Sequence, residues 1–354
     1  MKDRNYVAGG IMLCSALVGA VLMPGIAQAK PKPVTIPAFT FQAPAFGLAT
    51  APDGSLLVAD AAGIVELRKG QGTRTAELPN ATDVAPIGRG SSFALTGGMT
   101  EPGDGKLYAV SRGSTRQIAD ISGFEAAVNP DGGEVDSNAF DVAALTGGKA
   151  LVADAGGNSL LIADRKGNVD WVATFPDELV STANAKALAG CPNPPPDFAF
   201  VCDLPAMIPA QAVATSVVVG PDGAYYVGEL KGFPGPTGES RIWRVEAGTR
   251  HATCGTSPAC TVVADGFTSI VDLSIGPDGT IYVTEIDEAS FLAVELGFGT
   301  LGGTVSACDP TTWQCTPLAT GLTIPVATTV GKDGTVYALV GALIPGGVEV
   351  VALT

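Results

Sequence analysis

Histidine is nearly absent from this chain, and the single copy is His251. It stands near Cys254, in a segment that the repeat pattern described below places in an outer hairpin, away from the acidic residues. A Ser-His-Asp triad needs its histidine between nucleophile and carboxylate, so this position excludes one on the acidic face. Neither GxSxG nor HExxH occurs. An enzyme would therefore have to use metal-activated water or a pair of carboxylates.

Positive charge is scarce as well. Lys and Arg total 20 against 35 Asp and Glu, which gives a formal charge of −15. The value becomes −16 without residues 1–29, whose Lys2, Asp3 and Arg4 carry a net +1. Nucleic acids and anionic lipids are bound through clusters of Lys and Arg, so the composition argues against both partners. Solubility accounts for the acidic balance.

Helical patterns are missing from residues 138–169, which contain one complete structural repeat. Short apolar runs at 141–145, 150–154 and 160–163 are separated by glycine turns. Runs of this length suit antiparallel strands joined by tight turns. The same pattern recurs around a glycine anchor, followed three residues later by Leu or Tyr and then by Val or Ala. The anchors are Gly54, Gly105, Gly148, Gly223, Gly279 and Gly334.

Repeats of this size with about four strands each are typical of a β-propeller, which avoids exposed sheet edges by closing a ring of blades. Six anchors predict an all-β, six-bladed propeller formed by residues 30–354 as one domain. The last repeat has only three evident strands. We therefore expect the N-terminal segment 33–39 to pair as the outer strand of the sixth blade and to close the ring.

Residues 1–29 have the features of a secretory signal peptide. Lys2 and Arg4 precede an apolar run over 7–23, and Ala27-Gln28-Ala29 provides an A-x-A cleavage site. A membrane anchor is the weaker interpretation because the run barely reaches spanning length. We expect a periplasmic or secreted protein that is not inserted in a membrane after cleavage, and a monomer.

Six cysteines follow the signal peptide in three close pairs. An even count in an exported chain favours disulfides over zinc, whose usual CxxC spacing is absent. Local spacing favours Cys191 with Cys202, Cys254 with Cys260, and Cys308 with Cys315.

The longest interval between anchors contains an insertion at 181–211, rich in Ala and Pro. Its Pro192 and the prolines at 194–196 predict no regular structure there. We interpret it as a disulfide-tied excursion from one face of the disc. Phe198 and Phe200 either cover a ligand or partner or pack the excursion onto the propeller.

Carboxylates recur at two positions relative to the anchors. Six residues after an anchor stand Asp60, Ser111, Asp154, Glu229, Glu285 and Val340, and seven residues before it stand Gly47, Asp141, Ser216, Asp272 and Ala327. In a propeller, the start of each first strand and the end of each second strand share one face near the axis. We therefore predict a ligand site formed by Asp141, Asp154, Glu229, Asp272 and Glu285, with Phe233 beside it. Clustered carboxylates either raise one another's pKa or hold a cation; alternatively, they accept hydrogen bonds from turn amides.

The connection between the second and third repeats, residues 129–138, is a candidate calcium site. Oxygen ligands at alternating spacing around flexible glycines suit Ca²⁺, although the final Glu of an EF-hand is missing. The predicted ligands are Asp131, Glu134, Asp136 and Asn138. A solvated acidic turn is the alternative.

Four segments resemble the ScyD/ScyE family of secreted propellers, which is similar in pattern to NHL-repeat proteins. They are NPDGGEVDSNAFDVAAL, LVADAGGNSLL, TSVVVGPDGAYYVGELKGFPGP with RIWRV, and DGFTSIVDLSIGPDGTIYV. The resemblance implies an exported six-bladed propeller in a family whose founding members are associated with scytonemin biosynthesis. No catalytic residues come with it.

Two hypotheses of function follow. The first is a non-catalytic propeller that binds a small molecule, a peptide or a protein on its acidic face, under the 181–211 insertion and Phe233. The second is a Ca²⁺-dependent hydrolase or lactonase with its metal near the axis, held by the carboxylates of the predicted ligand site. Both types of protein are built on propellers, so the fold alone does not decide between them.

Overall fold

The predicted six-bladed β-propeller is confirmed. The computed structural model describes residues 32–33, 39–97, 104–111, 113–297 and 300–353, so the predicted signal peptide lies outside the described residues. The blades are six antiparallel sheets in chain order. Their first strands contact one another in succession, and the first strand of blade 6 contacts that of blade 1, so the ring is closed around its axis.

The strands of the N-terminal half follow the chain outward in each blade. A short strand, β1 (Lys32–Pro33), comes before the blades. Blade 1 contains β2 (Ala45–Thr50), β3 (Leu56–Asp60), β4 (Gly63–Arg68) and β5 (Gln71–Glu77). Blade 2 contains β6 (Ala81–Gly88), β7 (Ser91–Thr96), β8 (Lys106–Ser111) and β9 (Ser114–Asp120), followed by helix α1 (Ile121–Val128). Blade 3 contains β10 (Ala139–Leu145), β11 (Lys149–Asp154), β12 (Ser159–Ala163) and β13 (Val169–Thr174).

Between blades 3 and 4 lies an excursion, residues 178–210, that we call the cap. It contains β14 (Glu178–Ser181), α2 (Ala183–Leu188), a 3₁₀ turn (Pro196–Phe198), α3 (Ala199–Cys202) and β15 (Met207–Ala210). β14 and β15 pair as an antiparallel ribbon. The prediction that prolines prevent regular structure here is wrong at Pro196, because proline is tolerated in the first turn of a helix, where its missing N–H is not needed.

The remaining blades have the same plan. Blade 4 contains β16 (Ala214–Val219), β17 (Tyr225–Glu229), β18 (Ser240–Val245) and β20 (Cys260–Phe267), while β19 (Ala252–Thr253) pairs with the outer strand of blade 3. Blade 5 contains β21 (Ile270–Ile275), β22 (Ile281–Glu285), β23 (Gly303–Cys308) and β24 (Cys315–Leu322), with α4 (Phe291–Leu296) between β22 and β23. Blade 6 contains β25 (Ala327–Val330), β26 (Val336–Val340) and β27 (Glu349–Ala352).

The N-terminal end of the described chain lies beside blade 6. Lys32 is paired with Ala352, and Pro33 with Val351, in antiparallel register. Residues 34–38 lie outside the described part of the chain. That the whole segment 33–39 closes the ring as an outer strand therefore stays a prediction.

Four of the anchor glycines occupy the same turn, between the first and second strands. Gly54, Gly223, Gly279 and Gly334 have φ between 80° and 90°, which favours glycine. The Asp before each of them accepts a hydrogen bond from the backbone N–H two residues on, as Asp53 does from Ser55 at 3.1 Å. This local chemistry explains why the repeat is visible in the sequence.

The anchor at Gly105 is a wrong prediction. It precedes β8, the third strand of blade 2, whereas the equivalent turn is Arg89-Gly90, between β6 and β7. The sequence GKLYAV, which begins at Gly105, resembles a second strand because β8 is as short and apolar as the second strands of the other blades. The whole register of blade 2 shifts as a result, and Ser111 belongs at the end of a third strand.

Apolar clusters fill the interfaces between neighbouring blades. Fully buried Ile64, Leu95 and Leu161 are among the largest side chains in them. The largest cluster is different, because it joins blades 6 and 1 and also extends across one end of the axis. None of the helices in the described ranges is long and apolar enough to cross a bilayer.

The three predicted disulfides are all present: Cys191–Cys202, Cys254–Cys260 and Cys308–Cys315. The first ties the ends of the turn region inside the cap. The other two lie in the connections between the third and fourth strands of blades 4 and 5, as the repeat pattern predicted: Cys308–Cys315 joins β23 to β24, and Cys254–Cys260 joins the residue after β19 to the start of β20. Their formation requires an oxidising environment and is consistent with an extracytoplasmic location.

Candidate functional site

One face of the disc carries the candidate site, and we call it the mouth face. Here the first strand of a blade begins opposite the end of its second strand, so Ala139 pairs with Asp154 and Ile270 with Glu285. Asp60 and Glu229 occupy the same position in blades 1 and 4. These four carboxylates therefore lie on the same face.

Three of these carboxylates accept hydrogen bonds from the loop that leads into their own first strand. The donors are backbone N–H groups: Gln42 to Asp60 at 3.0 Å, Asn138 to Asp154 at 2.7 Å, and Thr268 to Glu285 at 2.6 Å. Each bond fixes the approach of the chain to the axis. The turn-amide alternative placed the donors in the turn after each second strand, where Gly157 also donates to Asp154 at 3.2 Å.

Asp60 has a structural role, since its carboxylate is already bound by an arginine and by backbone N–H groups. Arg74 forms a bidentate ion pair with it, with both distances 2.8 Å, and the N–H groups of Ala62 and Gly63 also donate to it. Burial by itself raises the pKa of Asp60, but the hydrogen bonds and the Arg74 charge outweigh it and hold the pKa below its usual value.

Glu229 lies in a buried ion network. Its Oε1 is 2.8 Å from Nζ of Lys231 and 3.1 Å from Nε of Arg241, while Trp243 Nε1 donates to Oε2 at 3.1 Å. Glu178, at the base of the cap, accepts from both cations. Burial raises the pKa of Glu229 even though these cations oppose the shift. The network ties the cap to blade 4.

Deeper along the axis is a second layer of carboxylates, Asp83, Asp141 and Asp272, which we call the bridging carboxylates. Each accepts a hydrogen bond from the first strand of the next blade. The donors are the N–H groups of Val142 to Asp83 at 2.9 Å, Val217 to Asp141 at 2.6 Å and Thr328 to Asp272 at 2.7 Å. They connect the innermost strands of blades 2 to 3, 3 to 4 and 5 to 6.

The bridging carboxylates interact electrostatically. Burial raises the pKa of all three, and a hydrogen bond joins Asp83 and Asp141. The pKa of Asp141 lies well above its usual value because burial, the Asp83 charge and that hydrogen bond all favour its proton. Burial and the Asp83 charge raise the pKa of Asp272 to about 7, against the hydrogen bonds from Thr328. We therefore expect Asp83 and Asp141 to share one proton.

Sequence reasoning placed Asp141 and Asp272 but missed Asp83. The shifted register of blade 2 hid it, since the repeat was anchored on the wrong glycine. A signal was present, because Ala81-Thr82-Asp83-Val84-Ala85 matches Ala139-Phe140-Asp141-Val142-Ala143 at four of five positions. Aligning first strands rather than turns would have found it.

The cap closes the mouth face above these carboxylates. One buried apolar cluster joins Ala185, Val201 and Leu204 of the cap to residues at the starts of first strands, namely Phe46, Phe140, Val271 and Val326. Phe233 packs partly buried against the same cluster, and so does Phe198. Asn184 Nδ2 fixes the cap to blades 4 and 5 by donating to Gly235 O at 2.6 Å and to Ala289 O at 3.1 Å. Asp141 and Asp272 therefore lie beneath an apolar layer rather than on an open acidic face.

The outer face of the cap's ribbon is apolar. Leu179 and Met207 alternate with buried Val180 and partly buried Ile208, and their exposed fractions are 68% and 49%. Ser181 pairs with Met207, which places Leu179 and Met207 on the same side of the ribbon. Phe200 of α3 is also 52% exposed.

The predicted calcium loop, residues 129–138, lies beside the mouth face, and we call it the acidic loop. Asp131 accepts from the Gly133 N–H at 2.8 Å and from Asn158 Nδ2 at 3.1 Å. Asp136 is partly buried, and burial together with Asp154 and Asp131 raises its pKa to about 6. Glu134 is exposed. The loop thus brings two of its three acids toward Asp154.

Glu125 of α1 is a member of this cluster that sequence reasoning missed. Its side chain is buried, at 1% exposure, and neither carboxylate oxygen has a hydrogen-bond partner within the described part of the chain. Burial, followed by the charges of Asp154, Asp131 and Asp136, raises its pKa to about 8. Across the described ranges, no three His, Cys, Asp or Glu side chains surround a common point as they stand.

Two further features lie away from this face. A cleft of about 300 Å³ opens between blades 1 and 2 near the turns of their first hairpins, lined in part by Asp53, Glu66 and Arg74. His251 stacks on Trp171 at the edge of blade 3, and its Nε2 is 2.7 Å from Asp170. The histidine is therefore remote from the mouth face, as its sequence position predicted.

The fold and this face define a six-bladed β-propeller with a capped mouth. Solved structures with the same fold include a protein of unknown function from Bacteroides thetaiotaomicron, with a TM-score of 0.56 and 9% identity, covering 91% of this chain and 72% of that one. The PQQ-bound aldose sugar dehydrogenase of Streptomyces coelicolor has a TM-score of 0.54 and 11% identity, with coverage of 88% and 94%. Regucalcin, a calcium-binding protein of Agrobacterium tumefaciens, has a TM-score of 0.54 and 12% identity, with coverage of 91% and 94%. No family model matches the sequence, and no curated protein matches it significantly. At these identities the likeness concerns the fold alone.

Proposed function

We propose that this chain is an exported, ScyD/ScyE-like propeller that acts by binding a partner and not by catalysis. The partner is a protein segment with basic and apolar side chains, and it binds on the capped mouth face. The observation that carries the proposal is the cap, whose ribbon turns Leu179 and Met207 outward from a strongly acidic protein. An exposed apolar surface with a charged border is typical of an interaction site.

The charges at the border of the ribbon favour a basic partner. Asp177 directly precedes the ribbon, and burial, followed by the charge of Asp131 in the acidic loop, raises its pKa. The opposing cations Lys231 and Arg241 are already paired with Glu178 and Glu229. Complementary charge would steer a basic segment to this face and select against acidic ones.

The hydrolase alternative finds less support in the geometry. Asp154, Glu229 and Glu285 hold the chain together through backbone amides and buried cations. Asp141 and Asp272 bridge neighbouring blades below the apolar cap. Carboxylates bound in this way are poorly placed to reach a substrate from solution.

The proposal predicts selective binding of a cationic amphipathic peptide. The probes are two fluorescein-labelled peptides with the same Leu content, one carrying Lys and the other Glu at every polar position, measured by fluorescence anisotropy. We expect the Lys peptide alone to bind, and we expect the L179S/M207S variant to bind it at least about tenfold more weakly, since each side chain buries apolar surface on binding.

The matched control is V262S, which removes an exposed valine (39%) from an outer strand of blade 4. It should leave the affinity for the peptide unchanged. Equal binding of both peptides, or full binding by L179S/M207S, would overturn the proposed surface. Turnover of a lactone or ester that D272N abolishes would instead establish the hydrolase.

A further inference from the structure

We propose that Glu125, together with the acidic loop, forms a Ca²⁺ site that joins blade 2, blade 3 and the base of the cap. The inference is independent of the partner proposed above. The observation behind it is the buried carboxylate of Glu125, which has no hydrogen-bond partner among the described residues.

Glu125 lies on the inner side of α1, with its Oε2 against Gly157. A Cβ built on Gly157 would lie 2.8 Å from that oxygen, so the carboxylate is packed closely against the turn of blade 3. Neither oxygen accepts a hydrogen bond from any residue that the structure describes. A buried carboxylate without partners costs far more free energy than one that is paired or bound to a metal. The side chain is therefore stabilised by a bound proton or by a cation, and a cation that binds here would displace the proton.

Two oxygens at the ends of the acidic loop also have no hydrogen-bond partner among the described residues. Asn129 is four residues after Glu125, and its Oδ1 is buried and unpartnered, while its Nδ2 donates to Gly133 O at 3.0 Å. The Oδ1 atom of Asn138, at the other end of the acidic loop, is buried and unpartnered as well. Orphaned acceptors are rare in native interiors, and several in one region indicate an unseen cation or water.

The donor set selects the kind of cation. It contains carboxylate and amide oxygens and no histidine or cysteine, which suits a hard cation. The glycines of the acidic loop, Gly132 and Gly133, allow the irregular, high-coordination arrangement that Ca²⁺ accepts and Mg²⁺ does not. Because no three acids of the described residues surround one point as they stand, the amide oxygens and an adjustment of the loop must complete the coordination.

This assignment differs from the ligands expected from the sequence. Glu134 points to solvent and is left out, and Glu125, which lies before the loop, becomes central. Asp131 and Asp136 remain. Asn158 connects the site to the chain just after the cap. Its Nδ2 donates to Asp131, and its Oδ1 accepts from the Val213 N–H.

The test uses the full exported chain, stripped with EDTA and dialysed, then titrated with CaCl₂ by isothermal calorimetry and followed by thermal unfolding. We expect one Ca²⁺ per chain and a rise in Tm on adding it, because a ligand that binds only the folded state stabilises it. MgCl₂ should give a smaller rise. In E125Q, calcium affinity should fall at least about tenfold.

Two comparisons keep the test decisive. E134Q is the matched control, since it makes the same change on the exposed side of the loop and should bind Ca²⁺ like the wild type. D136N repeats the test at a second proposed ligand if E125Q does not fold. Absence of calcium heat and of any Tm shift in the wild type, or unchanged affinity in E125Q or D136N, would overturn the site.

Discussion

Replacing Lys231 with methionine is expected to lower the free energy of unfolding by about 3–5 kcal/mol, because it leaves a buried carboxylate short of its nearest cation. The Lys231 side chain is completely buried, and so is Glu229, at 1% exposure. Methionine keeps the length and apolar stem of lysine, so most of the packing survives. The loss would be measured by urea denaturation at pH 7.

A second variant separates this effect from the general cost of removing a lysine. Lys106 pairs with Asp120 at 2.6 Å, but the Asp120 side chain is half exposed. Exposed pairs contribute at most about 1 kcal/mol, so K106M should be much milder. If K231M and K106M cost the same, then Glu229 keeps enough compensation from Arg241, and the network is not the anchor of the cap that its distances indicate.

The fold could be predicted from the sequence because its strongest signals are local. In four blades the turn after the first strand is specified by Asp-Gly chemistry, as at Asp53-Gly54 and Asp222-Gly223, and such chemistry is visible without tertiary structure. The disulfides are equally local, with partners 6 to 11 residues apart. Blade 2 has Arg89-Gly90 in place of Asp-Gly, so the repeat pattern in the sequence assigned its strands to the wrong positions.

The site could be predicted only in part because its contacts are distant in sequence. Periodicity correctly brought Asp154, Glu229 and Glu285 to one face, but it does not show what each carboxylate accepts. The cap was recognised as an insertion, yet its position over the mouth depends on contacts such as Asn184 with Ala289, more than 100 residues apart. Alanine-rich segments carry no signal for such docking.

Glu125 could not be predicted from the sequence at all, again because its contacts are distant along the chain. Within α1 it is a single acid on a short helix, and nothing in its neighbourhood distinguishes it from a solvated residue. Its burial comes from Gly157 and its charged surroundings from Asp154, both in blade 3. Only the packing of one blade against the next makes it exceptional.

The bridging carboxylates predict that the protein loses stability as the pH rises. Their pKa values are higher in the folded chain than the unfolded value of 3.8. Above about pH 4 the unfolded chain has released these protons, whereas the folded chain keeps the Asp272 proton up to about pH 7 and keeps the proton that we expect Asp83 and Asp141 to share. The folded state therefore binds more protons, and the free energy of unfolding falls as pH rises, by about 1.4 kcal/mol per pH unit for each such group. Asp60, whose pKa is lowered, is ionised in both states above pH 5 and does not mask the trend.

Asp141 provides the sharpest test, through two variants. In D141N, the amide can donate to Asp83 and accept from the Val217 N–H, so it keeps both bonds of the protonated acid without its titration. D141A loses both bonds and leaves buried groups unsatisfied, at about 1–3 kcal/mol each. At pH 8 we expect D141N to be at least as stable as the wild type and about 2–4 kcal/mol more stable than D141A. Urea denaturation from pH 5 to pH 8 should show a shallower decline for D141N, and the difference from the wild type isolates Asp141 from the other raised carboxyls. A D141N slope equal to that of the wild type would mean that Asp141 is already ionised and that Asp83 and Asp141 do not share a proton.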